Sequence, residues 1–529
     1  MNMKKYKFIT LALIAMISFN SCNDFLTTSL TDPKISDVTF YKTPAQANTA
    51  LVGCYNGLNL LGHYVAFPVA SEVFSDNCFG GTGSSDGFGY QMMDEFNKTI
   101  SPSDVSLFSG EWKAYYQTIY RCNVLLSKLD QVTWDSTGTA NLKTQIKGEA
   151  KFIRAYCYFD MVRLWQKVPL VLTPTLENVP QTDPALTYAQ IMSDLRFAAD
   201  SLPSTSYSSS VSGRVTKWAA ESMLARVYLF YSGYYGVSTI GGETAATALA
   251  SLEDVIAHSG HGLVSDYNTL WPAAAIGKNV TYAGESNKEV VFSIKYSSTE
   301  DYNGNITGNS WMVMEGIREE SHFPYQYGWG GCTVEPKLYN TFDPTDARRF
   351  ASITSIVDEN IDFTKAASNR EYTGYYLKKF SPLCDKTGTS IVTNFQIGQY
   401  EDYFVIRYAD VLLMAAELGS TNAQQYLTSV RSRSGIINVV PPTKANILAE
   451  RRLEFVGEGI RYWDLLRQGI TTAASTIAAN TTLSLINDGH TAPTTDQLKA
   501  NITATGGFQQ IPNDQITLSS GVLKQNAGW

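Results

Sequence analysis

The chain has 529 residues, 44% hydrophobic, 17% charged and 12% aromatic, with 49 Asp and Glu against 41 Lys and Arg for a formal charge of −8. Those figures exclude a disordered tail, a collagen and a small disulfide scaffold, and a chain this long buries a sizeable core. The acidic balance leaves no electrostatic footprint for duplex nucleic acid or an anionic lipid surface, whereas 31 Tyr among plentiful Asn, Ser, Thr and Gly suit a neutral ligand.

Lys4, Lys5 and Lys7 precede an apolar run from Phe8 to Phe19, broken only by Thr10 and Ser18. The run has the length of a signal-peptide core and is too short to span a bilayer, so residues 1–21 read as an export signal. No other stretch approaches the roughly 20 apolar residues of a membrane helix. Ser21-Cys22 ends the run as a bacterial lipobox does, with a small residue before a Cys that is diacylated and becomes the first residue. Ordinary secretory cleavage with Cys22 incidental is the other reading. Removal of the three lysines takes the formal charge from −8 to −11, and two or three acyl chains anchor stably where one is marginal. The six remaining cysteines, at positions 54, 78, 122, 157, 332 and 384, are irregularly spaced and form no CxxC, which favours buried free thiols over a disulfide framework.

Helical blocks follow in chain order: Pro44 to Leu60, Val105 to Gln131, Ala140 to Trp165, Thr187 to Leu202, Thr216 to Tyr235, Ala245 to Ala257, Asp402 to Leu418, Asn422 to Arg433 and Lys444 to Arg467. Phe152, Ala155, Tyr156, Phe159 and Val162 repeat at three and four, as do Ala220, Leu224, Val227 and Tyr231, so each helix buries one face. Between the blocks, Gly62 to Lys98, Tyr267 to Arg348 and Asp358 to Tyr400 are rich in Gly, Ser, Asn and aromatics and read as loops and short strands, Glu289 to Tyr296 among them. Paired helices with short turns suggest tetratricopeptide-like packing, and long irregular insertions in a compact domain are usually functional surfaces.

Five stretches carry a resemblance: Cys22-Asn23-Asp24-Phe25-Leu26, GEAKFIRAYCYFDMVRLWQKVPLV (Gly148 to Val171), RYADVLLMAAEL (Arg407 to Leu418), AERRLEFVGEGIRYWDLLRQG (Ala449 to Gly469) and QIPNDQITLSSGVLKQNAGW (Gln510 to Trp529). In this order they resemble the SusD/RagB family of Bacteroidota outer-membrane lipoproteins over essentially the whole mature chain. The resemblance implies a mainly α fold with four tetratricopeptide-like hairpins and long irregular, partly β insertions forming a ligand-binding half. Residues 22–529 then make a single domain, with its helical scaffold in 40–60, 105–258 and 402–468 and its ligand-binding insertions in 62–98 and 267–400. It further implies a non-enzymatic protein without cofactor, held at the cell surface by the lipid on Cys22, which captures glycan and delivers it to a SusC-like TonB-dependent transporter. A peptide-binding variant, a surface glycoside hydrolase and a protein-binding scaffold are the rivals.

The matched motifs read structurally by themselves. Arg154 has Glu149 and Asp160 as helical partners, and the mixed charges from Glu450 to Arg467 are spaced for salt-bridged helix faces. Gly83-Ser84-Ser85-Asp86-Gly87 has the spacing of a nucleophile elbow but lacks its strand and helix, so it reads as a flexible loop. Asp301 to Asn305 opens like an EF-hand, yet Ile306 and Met312 stand where the turn Gly and the bidentate Glu belong. His258 and His261 lack a third clustered ligand, so no metal site is assigned.

Aromatic insertions are the positive signal, because a neutral sugar is held by ring faces with amides and carboxylates at its hydroxyl rim. Tyr302, Asn303 and Trp311 lie in a polar, glycine-broken run and are ligand candidates. Phe323, Tyr325, Tyr327 and Trp329 alternate, which places them on one side of an extended chain. Core is the reading for Phe323 and Trp329, beside Gly328, Gly330 and Gly331, while Tyr325 and Tyr327 are open between core and ligand, with Tyr325 kept among the candidates. In the first insertion Asp76 and Asn77 are hydrogen-bonding candidates, and Phe79, Phe88 and Tyr90 could stack; turn chemistry accounts for the same segment without a ligand.

Overall fold

The computed structural model describes residues 40–62, 65–135, 139–175, 177–209, 213–298, 307–480 and 491–529. In chain order it runs α1 (Pro44–Asn59), α2 (Phe67–Val73), β1 (Cys78–Gly80), α3 (Gly89–Asp94), α4 (Ser109–Lys128), α5 (Ala140–Trp165), α6 (Pro184–Ser201), α7 (Lys217–Tyr235) and α8 (Ala245–His258). The irregular part holds α9 (Pro272–Lys278), β2 (Val290–Ile294), α10 (Met312–Glu315), β3 (Ile317–Arg318), β4 (Tyr327–Gly328), β5 (Cys332–Val334), α11 (Pro336–Thr341), α12 (Ala347–Ser352), β6 (Ile353–Ser355) and β7 (Tyr375–Leu377). The chain closes with β8 (Tyr403–Arg407), α13 (Tyr408–Glu417), α14 (Ala423–Arg433), α15 (Lys444–Glu454), α16 (Arg461–Leu466), α17 (Ile470–Asn480), α18 (Thr495–Ala504) and α19 (Asn513–Leu518).

Local chemistry starts the scaffold helices. Thr43 and Gln46 form a capping box on α1, Asp183 caps α6 and Thr216 caps α7, each satisfying backbone N–H groups that a helix start leaves unpaired. Neighbours in sequence pack pairwise, α4 on α5, α5 on α6, α6 on α7, α7 on α8 and α13 on α14. The second half of α5, Phe152 to Trp165, is buried on nearly every side, as expected of a helix enclosed by neighbours rather than lying on the surface.

Several elements depart from the sequence reading. The stretch Asp402 to Leu418 is strand β8 followed by α13, because β8 pairs antiparallel with β2. Lys444 to Arg467 breaks into α15 and α16: Gly457 and Gly459 sit at φ 78° and 69°, and a Cβ on Gly459 would lie 2.7 Å from Pro68 Cα. A left-handed turn pressed on α2 therefore replaces a continuous helix. The insertions also contain the short helices α2, α3 and α9 to α12, and a four-stranded antiparallel sheet in the order β1-β5-β7-β6.

The charged motif is buried and carries the ion pairs that join the elements. Arg407 meets Glu289, Glu454 and Glu458 at 2.5, 2.9 and 2.7 Å, and Arg433 reaches Glu289 at 2.6 Å as well as Glu454. Burial alone would raise the Glu454 carboxyl, but Arg433, Arg407, Arg348 and Lys379 outweigh it and hold it at about 2. A second group links Arg226 and Arg451 to Asp410, and Arg451 and Arg467 to Asp464. Arg154 pairs across helices with Asp194, at 2.8 and 3.0 Å, rather than with Glu149 or Asp160, which are taken by Arg214 and Arg163. All six described cysteines are buried free thiols.

Candidate functional site

Most of the expected ligand residues lie in the interior. Asp76 is 1% exposed and receives two bonds from Arg461, at 2.8 and 3.0 Å, with Arg452 at 3.1 Å. Burial raises its carboxyl, yet the two guanidinium groups bring it below the ordinary value. Asn77 donates to Glu72 at 2.9 Å and accepts from Arg452 at 3.2 Å, and Phe79 is buried on β1. Trp311 is 1% exposed, edge-on to Phe380 and Tyr403 with centroids at 5.0 and 5.8 Å. Tyr325 is buried, with its hydroxyl on Glu359 at 2.5 Å. These five serve the fold, because each one's polar or ring surface is already used inside the protein. Tyr302, Asn303 and Cys22 lie outside the described residues.

Tyr90 lines a cavity of about 540 Å³ together with Tyr327 and Trp329. Its walls come from the segment after β1, the start of α3, the loop before α4, and the β3-β4 pair. β3 and β4 pair in parallel, and a Cβ on Gly328 would lie 2.5 Å from the carbonyl oxygen of Val313 on α10, so only glycine lets β4 press against the helix end there. Trp329 N–H donates to that same carbonyl at 2.8 Å. Two residues apart on one short strand edge, Tyr327 and Trp329 point to one side; both are half-buried, and Phe395 packs on Tyr327 at a centroid distance of 4.4 Å.

Alternation from Phe323 does not extend over all four rings. His322 and Tyr325 exchange backbone hydrogen bonds at 2.8 and 2.7 Å, and this tight turn reverses the chain. Phe323, expected in the core, is 47% exposed, while Trp329, also expected there, packs against the core and lines the cavity as well.

The polar part of the wall is Arg318 with Glu319, Asp86 and Asp104. Arg318 lies 2.7 Å from Glu319 and 3.7 Å from Asp86, and donates to the Trp329 carbonyl at 3.2 Å. Its Nε is buried without a hydrogen-bond partner among the described residues. The Gly83–Gly87 loop, expected to be flexible, is held by Arg370, which donates to the carbonyls of Ser84, Asp86 and Gly87 at 3.1, 2.9 and 2.9 Å and stacks on Phe88. Arg318, Glu319, Asp86, Asp104 and Arg370 escaped the sequence reading, since no spacing rule marks side chains brought together from separate loops. Rings, an ion-paired guanidinium and exposed carboxylates can hold a ligand with apolar faces and hydroxyl edges. No group of three or more His, Cys, Asp or Glu suited to a metal occurs among the described residues, and no helix there is long and apolar enough to cross a membrane.

Two family models match the chain, one described as "Starch-binding associating with outer membrane" over residues 69–229 and one as "SusD family" over residues 354–529. The chain belongs to the SusD/RagB family. Among SusD-like relatives, SusD-like protein P38 of Formosa agariphila is 27% identical over 88% of this chain and 92% of its own length. A SusD-like protein of Bacteroides ovatus is 24% identical over 87% and 82%. Of solved structures, a laminarin-binding SusD-like protein superposes with TM-score 0.71 at 28% identity, covering 92% of this chain and all of the other. Surface glycan-binding protein A from Bacteroides thetaiotaomicron, solved with laminarihexaose, shares the fold at TM-score 0.74 and 22% identity, again over 92% of this chain. The mainly α fold with few strands is thus that of SusD-like proteins.

Proposed function

We propose that the protein is a cell-surface lipoprotein that captures neutral oligo- or polysaccharide in the Tyr90–Tyr327–Trp329 cavity and passes it to a SusC-like TonB-dependent transporter. The observation that carries this reading is the pairing of half-buried Tyr327 and Trp329 with the Arg318–Glu319–Asp86 group in one open cavity of about 540 Å³, a size suited to a few sugar units. Arg318 faces three carboxylates in this wall, Glu319, Asp86 and Asp104, a net negative set that disfavours an anionic sugar. The laminarin- and laminarihexaose-binding neighbours support a glucan-like ligand. Lipid on Cys22 tethers the protein, and the sugar is bound without being cleaved. Shallow aromatic sites of this kind bind at micromolar to millimolar strength, about −8 to −4 kcal/mol, weak enough for release into a transporter.

Affinity electrophoresis on a polysaccharide panel, paired with an assay for new reducing ends, tests the reading. Retardation by at least one neutral glycan without new reducing ends is expected. Retardation by none, or release of reducing sugar, overturns it.

A further inference from the structure

We propose that the sugar path continues from this cavity over the N-terminal end of α4 into a second aromatic groove, so that the protein grips one extended neutral chain at two places. The inference rests on the glycan reading of the first cavity. The second groove, about 740 Å³, runs along α4 with Trp112, Tyr116 and Tyr120 on one side and Leu518 at the end of α19 on the other. These three residues are spaced four apart, so they share one helix face, about 5 to 6 Å from one to the next. Trp112 and Tyr116 pack with ring centroids 5.2 Å apart, and the Tyr116 hydroxyl donates to the Pro169 carbonyl at 2.9 Å, fixing the ring. Tyr120 is 43% exposed and Leu518 is 68% exposed.

Continuity with the first cavity selects sugar as the occupant. Leu107 lines the first cavity and Trp112 and Lys113 the second, on one unbroken segment. The ridge between them is polar. Asp514 accepts from Ser109 at 2.5 Å, lies 3.3 Å from Lys113, and takes the Ser106 hydroxyl with its backbone N–H at 3.0 Å. A glycan crossing here meets carboxylate and hydroxyl groups suited to its own hydroxyls, with the amides of Gln117 and Asn178 beyond. Such a ridge does not suit an apolar protein helix laid from one groove into the other.

Two linked sites make affinity depend on chain length in two steps, because the second contact becomes intramolecular. Calorimetric titration of the full chain with size-graded laminari-, malto-, cello- and xylo-oligosaccharides, and with the parent polysaccharides, reads this directly. For the glycan that binds, affinity is expected to level off once the first cavity is filled and then to rise again, by about tenfold or more, for chains long enough to span both. Tyr120→Ala is expected to erase the second rise, and Tyr327→Ala to weaken short and long chains alike. A single plateau, or a second rise that survives Tyr120→Ala with an unchanged melting curve, overturns the two-groove path while leaving the first cavity standing. Short-chain binding that survives Tyr327→Ala and Trp329→Ala removes the first cavity instead. Binding of none of the ladders removes both.

Discussion

Asp76 and Arg461, 385 positions apart in the chain, meet as a two-point ion pair at 2.8 and 3.0 Å with Asp76 sealed from solvent. The contact welds the segment before β1 to α16, and Arg452 on α15 completes it at 3.1 Å.

Removing one partner of a buried pair strands the other charges, so Asp76→Ala is expected to cost about 3 to 5 kcal/mol of stability. Denaturant unfolding measures it, and glycan affinity of the folded fraction should stay at the wild-type value. A variant with wild-type stability and lost binding would return Asp76 to the site.

Trp311→Ala is expected to cost roughly 3 to 5 kcal/mol, as for other large core side chains, because the indole fills the space between Phe380 and Tyr403. Thermal melts paired with glycan titration check it; an unchanged melting temperature contradicts the packing.

Trp329→Ala and Tyr327→Ala are each expected to weaken glycan binding by about 1 to 3 kcal/mol, by analogy with bases stacked on aromatic rings. Phe323→Ala, changing a ring outside the cavity wall, should leave affinity unchanged. Equal losses from all three would place the sugar elsewhere.

Stability has two pH limbs of opposite origin. Glu454, held at about 2 against an ordinary 4.5, adds stability above pH 4.5 that is lost as pH falls toward 2. Glu111 behaves in reverse: burial pushes it up to about 7, and neither carboxylate oxygen meets a donor from another residue among those described. Its folded pKa lies above the unfolded one, so stability falls as pH rises from 4.5 to 7, by roughly 3 kcal/mol. Unfolding free energies from pH 4 to 8 should show that decline in the wild type and a flatter profile in Glu111→Gln.

Cys22 is expected to be the acylated first residue of the mature protein, as the short apolar run from Phe8 to Phe19 followed by Ser21-Cys22 indicates. Mass spectrometry of membrane-extracted protein tests this, and a mature N-terminus elsewhere rules it out.

Local signals were enough for the scaffold. α5 begins and ends at the residues expected from periodicity, Ala140 and Trp165, because its heptad-like apolar spacing and its length do not depend on distant segments. The family motifs likewise carried the fold class. Where a partner far along the chain decides the conformation, sequence reasoning failed: residues 403–407 are a strand only because β2 lies beside them, and Glu450 to Arg467 is a buried ion network only because Arg407, Asp410 and Asp76 arrive from elsewhere.

By itself, then, the sequence determined that this is a helix-rich member of the SusD/RagB family with long aromatic insertions. Tertiary structure alone decided which rings face outward. Tyr327 and Trp329 line the cavity because the turn between His322 and Tyr325 and the close approach at Gly328 aim them there. Trp311, the most prominent indole of a polar run, turns inward onto Phe380 and Tyr403. A ring's burial depends on what the rest of the chain packs against it, and that information is absent from its own neighbours in sequence.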